Sequence, residues 1–209
     1  MSILHALILA LVEGLTEFLP VSSTAHLLFT EELLGIQQTE YVKMFTVSIQ
    51  FGAIIAVVVA YWKRFFVNIK WSFYRVLALS VLPALVLGKL FDDKIEAVFE
   101  KPLIIAIVLI VGGVVLLFID RIFANQAQIK DQEVSTRQGL FIGLWQCLAM
   151  MPGVSRSAAS IIGGMQQGLN RKSAAEFSFF LAVPTMAAVT LYSVLLKDWC
   201  VNGQETKGV

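Results

Sequence analysis

The sequence predicts an all-α polytopic membrane protein built from inverted-topology repeats, each a re-entrant broken helix pair followed by transmembrane helices. Three observations predict it. Mean hydropathy is +0.77, and 57% of the 209 residues are hydrophobic against 15% charged, which excludes an ordinary soluble domain. Charges cluster between apolar segments, some long enough to cross a bilayer. Two pairs of shorter apolar segments are instead interrupted by proline. The formal net charge of +1 gives no basis for nucleic-acid binding, and none is expected. The two cysteines, Cys147 and Cys200, imply no disulfide framework.

In order, residues 3–12 are apolar apart from His5, and residues 18–30 carry no formal charge with His26 neutral. Each is nearer half a span than a whole one. Glu31, Glu32, Glu40 and Lys43 mark a polar connection, and residues 44–62 are uncharged and long enough to cross. Lys63, Arg64, Lys70 and Arg75 form a purely basic loop. Residues 76–91 are a short span with snorkelling flanks. Asp92, Asp93, Lys94, Glu96, Glu100 and Lys101 read as the next loop, residues 102–119 as a crossing, and residues 120–137 as the longest loop.

The pattern then repeats. Residues 138–151 and 157–170 are apolar segments around Pro152-Gly153-Val154-Ser155-Arg156-Ser157, and residues 177–196 read as a full span. Aligning Glu13 with Gln146 puts Leu15 on Leu148, Val21 on Val154, Ser22 on Ser155 and Ala25 on Ala158. The expected organisation is one integral membrane domain over 1–209, with repeat one at about 1–122 and an incomplete repeat two at about 137–209. If the basic loop 63–75 is cytoplasmic, three crossings put residues 120–137 inside as well. The two broken pairs then enter from opposite faces, their breaks meet near the midplane, and Arg156 arrives beside Glu13 and Glu17.

The chemistry lies in residues 13–26, Glu-Gly-Leu-Thr-Glu-Phe-Leu-Pro-Val-Ser-Ser-Thr-Ala-His. Glu13 and Glu17 share one helical face, with about 6 Å between Cβ atoms. A charge in hydrocarbon costs roughly 3 kcal/mol on insertion scales, so the pair calls for a cation or a shared proton. Pro20 breaks the helix, and Ser22, Ser23 and Thr24 stand where a new one starts, with free N–H groups and hydroxyls for an anion. Acids for a metal beside a nest for a phosphate point to phosphate chemistry inside a membrane. Plainer uses stay open: the acids as an exposed interfacial pair, His26 as a polar residue near a helix end, and Arg156 as a structural ion pair. Gln50 and Gln146 read as helix-contact partners, and Glu176 as a carboxylate favoured by a helix start.

Together, E-G-L-T-E-F-L-P-V-S-S-T-x-H at 13–26 and P-G-x-S-R-S at 152–157 resemble the undecaprenyl-diphosphate phosphatases of the bacitracin-resistance type. The resemblance extends to A-A-E-F-S-F-x-L-A-V-P at 174–184. It implies a multi-pass enzyme of the bacterial inner membrane that removes the terminal phosphate of undecaprenyl diphosphate, regenerating the lipid carrier for cell-wall sugars, with a divalent metal, Mg or Ca. By position, Glu13 and Glu17 match the acidic pair, Ser23 and His26 the catalytic serine and histidine, and Arg156 the phosphate-binding arginine. Ala25 and Ala158 stand where relatives usually have glycine, and Ser160 where they often have threonine. Relatives continue with two further spans after the second repeat's first, so C-terminal truncation is expected.

The expected mechanism has Glu13 and Glu17 holding the metal. Arg156 and the N–H groups after Pro20 and Pro152 stabilise charge on phosphorus. Ser22, Thr24, Ser155 and Ser157 join Arg156 in binding substrate. Ser23 is the candidate nucleophile with His26 or Glu17 moving its proton, and a water activated by His26 is the alternative. Expected partners are the isoprenyl diphosphate lipid and the bilayer, with a homodimer left open. The rival readings are a lipid or anion transporter or flippase, which shares inverted repeats but needs no nucleophile, and an inactive truncated fragment.

Overall fold

The computed structural model describes residues 1–99, 101–124 and 130–192. The expectations that fall on Glu100, on residues 125–129 of the long polar stretch and on the residues after Tyr192 lie outside the described residues. Every regular element among the described residues is helical: α1 (Ile3–Thr16), α2 (Ser23–Leu33), α3 (Glu40–Ala60), α4 (Trp71–Phe99), α5 (Pro102–Ile122), α6 (Thr136–Gln146), α7 (Arg156–Gln166) and α8 (Arg171–Tyr192). Four of them carry stretches long and apolar enough to cross a membrane, at Glu40–Ala60, Trp71–Ile95, Pro102–Ile119 and Arg171–Leu191. The chain is therefore an all-α, multi-pass membrane protein.

The remaining helices are short. α1 has 14 residues and α2, α6 and α7 have 11 each, so each reaches about 16–21 Å of a hydrocarbon core about 30 Å thick. α1 packs against α2 and α6 against α7. Each pair is followed by a span-length helix, α3 and α8 respectively.

Several boundaries differ from the expectation. Asp92 to Glu96 do not form a loop; α4 runs on through Phe99. Nothing in Phe91-Asp92-Asp93-Lys94-Ile95 breaks a helix, and a charged last turn can project beyond the hydrocarbon. The chain reverses only before Pro102, which opens α5 as a first-turn proline. α5 continues to Ile122 and α6 begins at Thr136 under a Ser135–Gln138 capping box, so the long polar stretch is shorter at both ends. α8 begins at Arg171 rather than Phe177, which places Glu176 in its second turn. Glu31 and Glu32 belong to α2. Glu31 is buried, accepting from Gln38 and, at 3.0 Å, from Thr46 of α3.

The first helix ends before its proline. α1 stops at Thr16 because Pro20 has no N–H for the Thr16 carbonyl and its ring crowds that turn. Glu17 keeps helical dihedrals and its N–H still bonds the Glu13 carbonyl at 2.9 Å, so the two acids share a face as expected. The second break follows the same rule. Met151, ahead of Pro152, is pushed to extended backbone after a tight turn over Cys147–Met150.

The core is an aromatic and aliphatic cluster of Phe65, Phe73, Leu77, Ile142, Leu169, Phe177, Phe180 and Leu181. It joins α3 and α4 to the second broken pair and α8. Gly143 lets α4 and α6 touch backbone to backbone, since a Cβ there would lie 2.1 Å from the Ser80 carbonyl oxygen. At the second break, Gly153 has φ +98, and a Cβ there would meet the Ile105 carbonyl of α5 at 2.7 Å. Only glycine satisfies both demands.

The polar stretch before α6 returns to the basic end of the bundle. Glu133 takes Lys70 at 2.5 Å and Arg64 at 3.5 Å, and Asp131 pairs with Lys172. The Lys70 ammonium holds the Glu133 carboxyl below its ordinary range. If α3, α4 and α5 each cross once, as their length and hydropathy allow, the bases of the two broken pairs are expected on opposite faces. Single cysteines at the exposed positions Gln37 and Gln132, without Cys147 and Cys200, test this. An impermeant thiol reagent outside sealed cells is expected to label 37 and to reach 132 only after permeabilisation. Equal labelling in sealed cells would refute insertion from opposite faces.

Candidate active site where the two hairpin tips meet

The tips of the broken pairs join at two points, and α8 adds a third contact. Ser157, at the start of α7, donates its hydroxyl to the Leu19 carbonyl at 2.9 Å. Arg156 Nη2 reaches Glu17 Oε1 at 2.9 Å. Phe18 packs edge-on against Phe179 of α8, with ring centroids 5.6 Å apart. The expectation that Arg156 arrives beside the acid pair is met, across 139 residues of sequence.

Glu17 is the hub. Its second oxygen, Oε2, accepts from Ser23 Oγ at 2.5 Å, a short charge-assisted bond. Glu17, Ser23 and the Arg156 guanidinium are all largely buried, so this is an ion pair shielded from water. The sequence left the proton partner of Ser23 open between Glu17 and His26, and the hydrogen bond goes to Glu17.

His26 turns the other way. Its Nδ1 lies 2.9 Å from the Ser22 carbonyl, which can only accept, so Nδ1 donates there and in the neutral ring Nε2 is the acceptor. The carbonyl is aimed by an unusual backbone: Ser22 has φ +61, the one non-glycine positive φ among the described residues. Such a conformation costs about 1–3 kcal/mol and persists where its surroundings enforce it.

The two helix starts differ. Ser155 caps α7, accepting from the Ala158 N–H and donating to Ser157 Oγ at 2.9 Å. The Ser155 and Ser157 hydroxyls, both expected at the substrate, are thus engaged by protein atoms. Ser22, in the matching place before α2, makes no side-chain cap bond. Among the described hydrogen bonds, no protein group takes the hydroxyls of Ser22 and Thr24. The first turn of α2 therefore faces its buried surroundings with free N–H groups, which suits an anion.

Glu13 completes the arrangement. It is 1% exposed, and neither carboxylate oxygen has a hydrogen-bond partner. Glu17 and Arg156 are the charged groups within its electrostatic reach. A buried carboxyl without a donor, beside a second acid, could share a proton with it or hold a hard cation, whose preferred ligands are oxygens. Among the described residues no group of three His, Cys, Asp or Glu side chains gathers. Two carboxylates are thus what the chain offers, which is compatible with Mg²⁺ or Ca²⁺ taking its other oxygens from water and phosphate.

The profile of the BacA family, bacitracin resistance protein BacA, matches residues 6–208. The chain belongs to the BacA family. Among its relatives, the undecaprenyl-diphosphatase of Flavobacterium psychrophilum is 52% identical over 191 residues, covering 91% of this chain and 71% of the relative. The undecaprenyl-diphosphatase of Bdellovibrio bacteriovorus is 48% identical over 197 residues, 93% of this chain and 74% of the relative. That of Aquifex aeolicus is 42% identical over 203 residues, 96% and 78% respectively.

Sequence reasoning missed part of this BacA site. Ser178 of α8, 0% exposed, presents its carbonyl to Arg156 Nη1 at 3.3 Å and its hydroxyl to Ser160 at 2.7 Å. The stretch at 174–184 was visible as a motif, but nothing in it said that a serine there faces the arginine. Gln146, expected as a helix-contact residue, does bond Thr185 of α8 at 3.2 Å. A cavity of about 710 Å³ at the basic end is lined by Tyr61, Arg64, Phe73, Glu133, Glu176 and Phe180 and includes none of these site residues.

Proposed function

We propose that this chain hydrolyses undecaprenyl diphosphate to undecaprenyl phosphate and inorganic phosphate in the bacterial inner membrane, recycling the carrier for cell-wall synthesis. The observation that carries the reading is the Arg156–Glu17–Ser23 chain of contacts at 2.9 and 2.5 Å beside the uncapped start of α2. A transporter needs an anion nest and a counter-charge. It does not need a hydroxyl bonded to a buried carboxylate.

In this reading the terminal phosphate lies against the first turn of α2, the free hydroxyls of Ser22 and Thr24, and the guanidinium donors of Arg156 that Glu17 and Ser178 leave open. Glu13 and Glu17 would hold a divalent cation, which neutralises the diphosphate and polarises the bond to its bridging oxygen. Glu17 takes the Ser23 proton as Ser23 Oγ attacks the terminal phosphorus. The bond from phosphorus to the bridging oxygen breaks, and undecaprenyl phosphate leaves. His26, with Nε2 as acceptor, takes the proton of a water that attacks the phosphoserine. The bond from phosphorus to Ser23 Oγ breaks, Glu17 returns its proton to Ser23, and inorganic phosphate leaves. The isoprenyl tail stays between the helices or in lipid, which is why the site sits at membrane depth.

The test is phosphate release by the purified chain from undecaprenyl diphosphate with Mg²⁺ or Ca²⁺. Turnover that is lost with chelator and in Ser23→Ala is expected. Release no greater than that of Ser23→Ala would overturn the assignment of Ser23 as nucleophile, and no release at all would overturn the activity.

A further inference from the structure

A phosphate-binding arginine needs its free donors held at fixed angles, because bidentate recognition depends on orientation as well as charge. Glu17 fixes one edge of the Arg156 guanidinium at 2.9 Å. The other edge is held from α8, where Ser178 accepts from Nη1 through its backbone carbonyl at 3.3 Å. A contact to a carbonyl of another helix is only as well placed as that helix is registered against α7.

Donor counting shows what sets the register. Ser160 Oγ lies 2.9 Å from the Arg156 carbonyl and 3.2 Å from the Ser157 carbonyl, both of which only accept. The single Ser160 hydrogen therefore goes to its own helix, and at the 2.7 Å contact between the two hydroxyls Ser178 must be the donor. The result is a closed ring. It runs from the Arg156 guanidinium to the Ser178 carbonyl, through the Ser178 hydroxyl to Ser160, and back to the Arg156 carbonyl. Both serines are 0% exposed, so no water competes for these bonds. The first turn of α7 and the middle of α8 are tied by two hydroxyls at the height of the arginine.

We propose that Ser178 and Ser160 are positioning residues for Arg156, setting the angle at which its free N–H groups meet the terminal phosphate. The proposal rests on the reading of Arg156 as the phosphate ligand. Neither serine touches the substrate. Ser178 acts through its hydroxyl on the register of α8, and Ser160 relays that register to the arginine's own backbone.

Ser178→Ala removes the hydroxyl without adding volume, and is expected to lower kcat/KM about tenfold, the worth of one buried hydrogen bond. It should also need about tenfold more inorganic phosphate to reach the same rise in Tm, a readout independent of turnover. Ser160→Val, which lacks the hydroxyl, should lower both measures likewise, and Ser160→Thr, of valine's shape with the donor kept, should restore them. In an Arg156→Lys background Ser178→Ala should have no further effect on phosphate protection. Wild-type kcat/KM and phosphate protection in Ser178→Ala would overturn the proposal. So would a loss of equal size in both backgrounds, or lower activity with phosphate protection unchanged. If Arg156→Lys itself behaves as wild type, the phosphate-ligand reading fails. If Arg156→Lys loses function and Ser178→Ala does not, only the positioning role fails.

Discussion

Glu17→Gln is expected to abolish turnover, with a loss of at least about 10³-fold in kcat. One substitution removes three functions. The amide cannot take the Ser23 proton, it offers a metal only a neutral oxygen, and it no longer balances Arg156, whose guanidinium stays buried at 2.9 Å. Breaking a buried ion pair from one side typically costs about 3–5 kcal/mol, so Tm should fall as well. The stability loss separates from the chemistry in two ways. Residual turnover per folded molecule should lose its dependence on Mg²⁺ or Ca²⁺. Glu13→Gln, which leaves the Arg156 pair intact, should weaken that dependence without the drop in Tm. Unchanged turnover by Glu17→Gln at limiting metal would end the metal role of the acid pair.

Arg156→Lys is the second large effect, expected at about 10²-fold in kcat/KM with membrane insertion unaltered. Lysine keeps the positive charge beside Glu17. Its single ammonium cannot reach Glu17, the Ser178 carbonyl and a phosphate together as the planar guanidinium can. The loss should fall more on KM and on phosphate protection than on the Ser23–Glu17 hydrogen bond, which the substitution leaves in place. A variant with wild-type kcat/KM would reduce Arg156 to a structural ion pair holding the two tips together.

Much of the site was legible because it is written in local chemistry. Acids four residues apart, a proline three residues after Glu17 and a run of hydroxylated residues constrain a helix and its interruption whatever surrounds them. Charge asymmetry among the loops led to the expectation that the two breaks meet, and the Ser157–Leu19 and Arg156–Glu17 contacts bring them together. Helix ends were read less well. A charged turn such as Asp92–Lys94 looks like a loop by hydropathy, yet it remains helical where the chain leaves the hydrocarbon. Glu31 looked like a surface acid, and its burial depends on Gln38 and Thr46 from the next helix.

The division between the two breaks shows where sequence stops. Ser22-Ser23-Thr24 and Ser155-Arg156-Ser157 look equivalent as strings, and all the serines were expected at the substrate. Tertiary structure separates them. Ser155 turns inward to cap its helix and Ser157 is drawn to the Leu19 carbonyl of the other repeat, while Ser22 takes a left-handed backbone and leaves its hydroxyl free. The sequence by itself determined a helical membrane chain, two proline-broken pairs and the residues able to do phosphate chemistry. Those follow from hydropathy, from proline's missing N–H and from the cost of charge in hydrocarbon, all properties of short stretches. Only the packed structure decided that Glu17 rather than His26 bonds Ser23, that Ser178 holds Arg156, and that one helix start is open and the other closed. Each of those choices depends on a partner brought from a distant part of the chain, and no local pattern records which partner arrives.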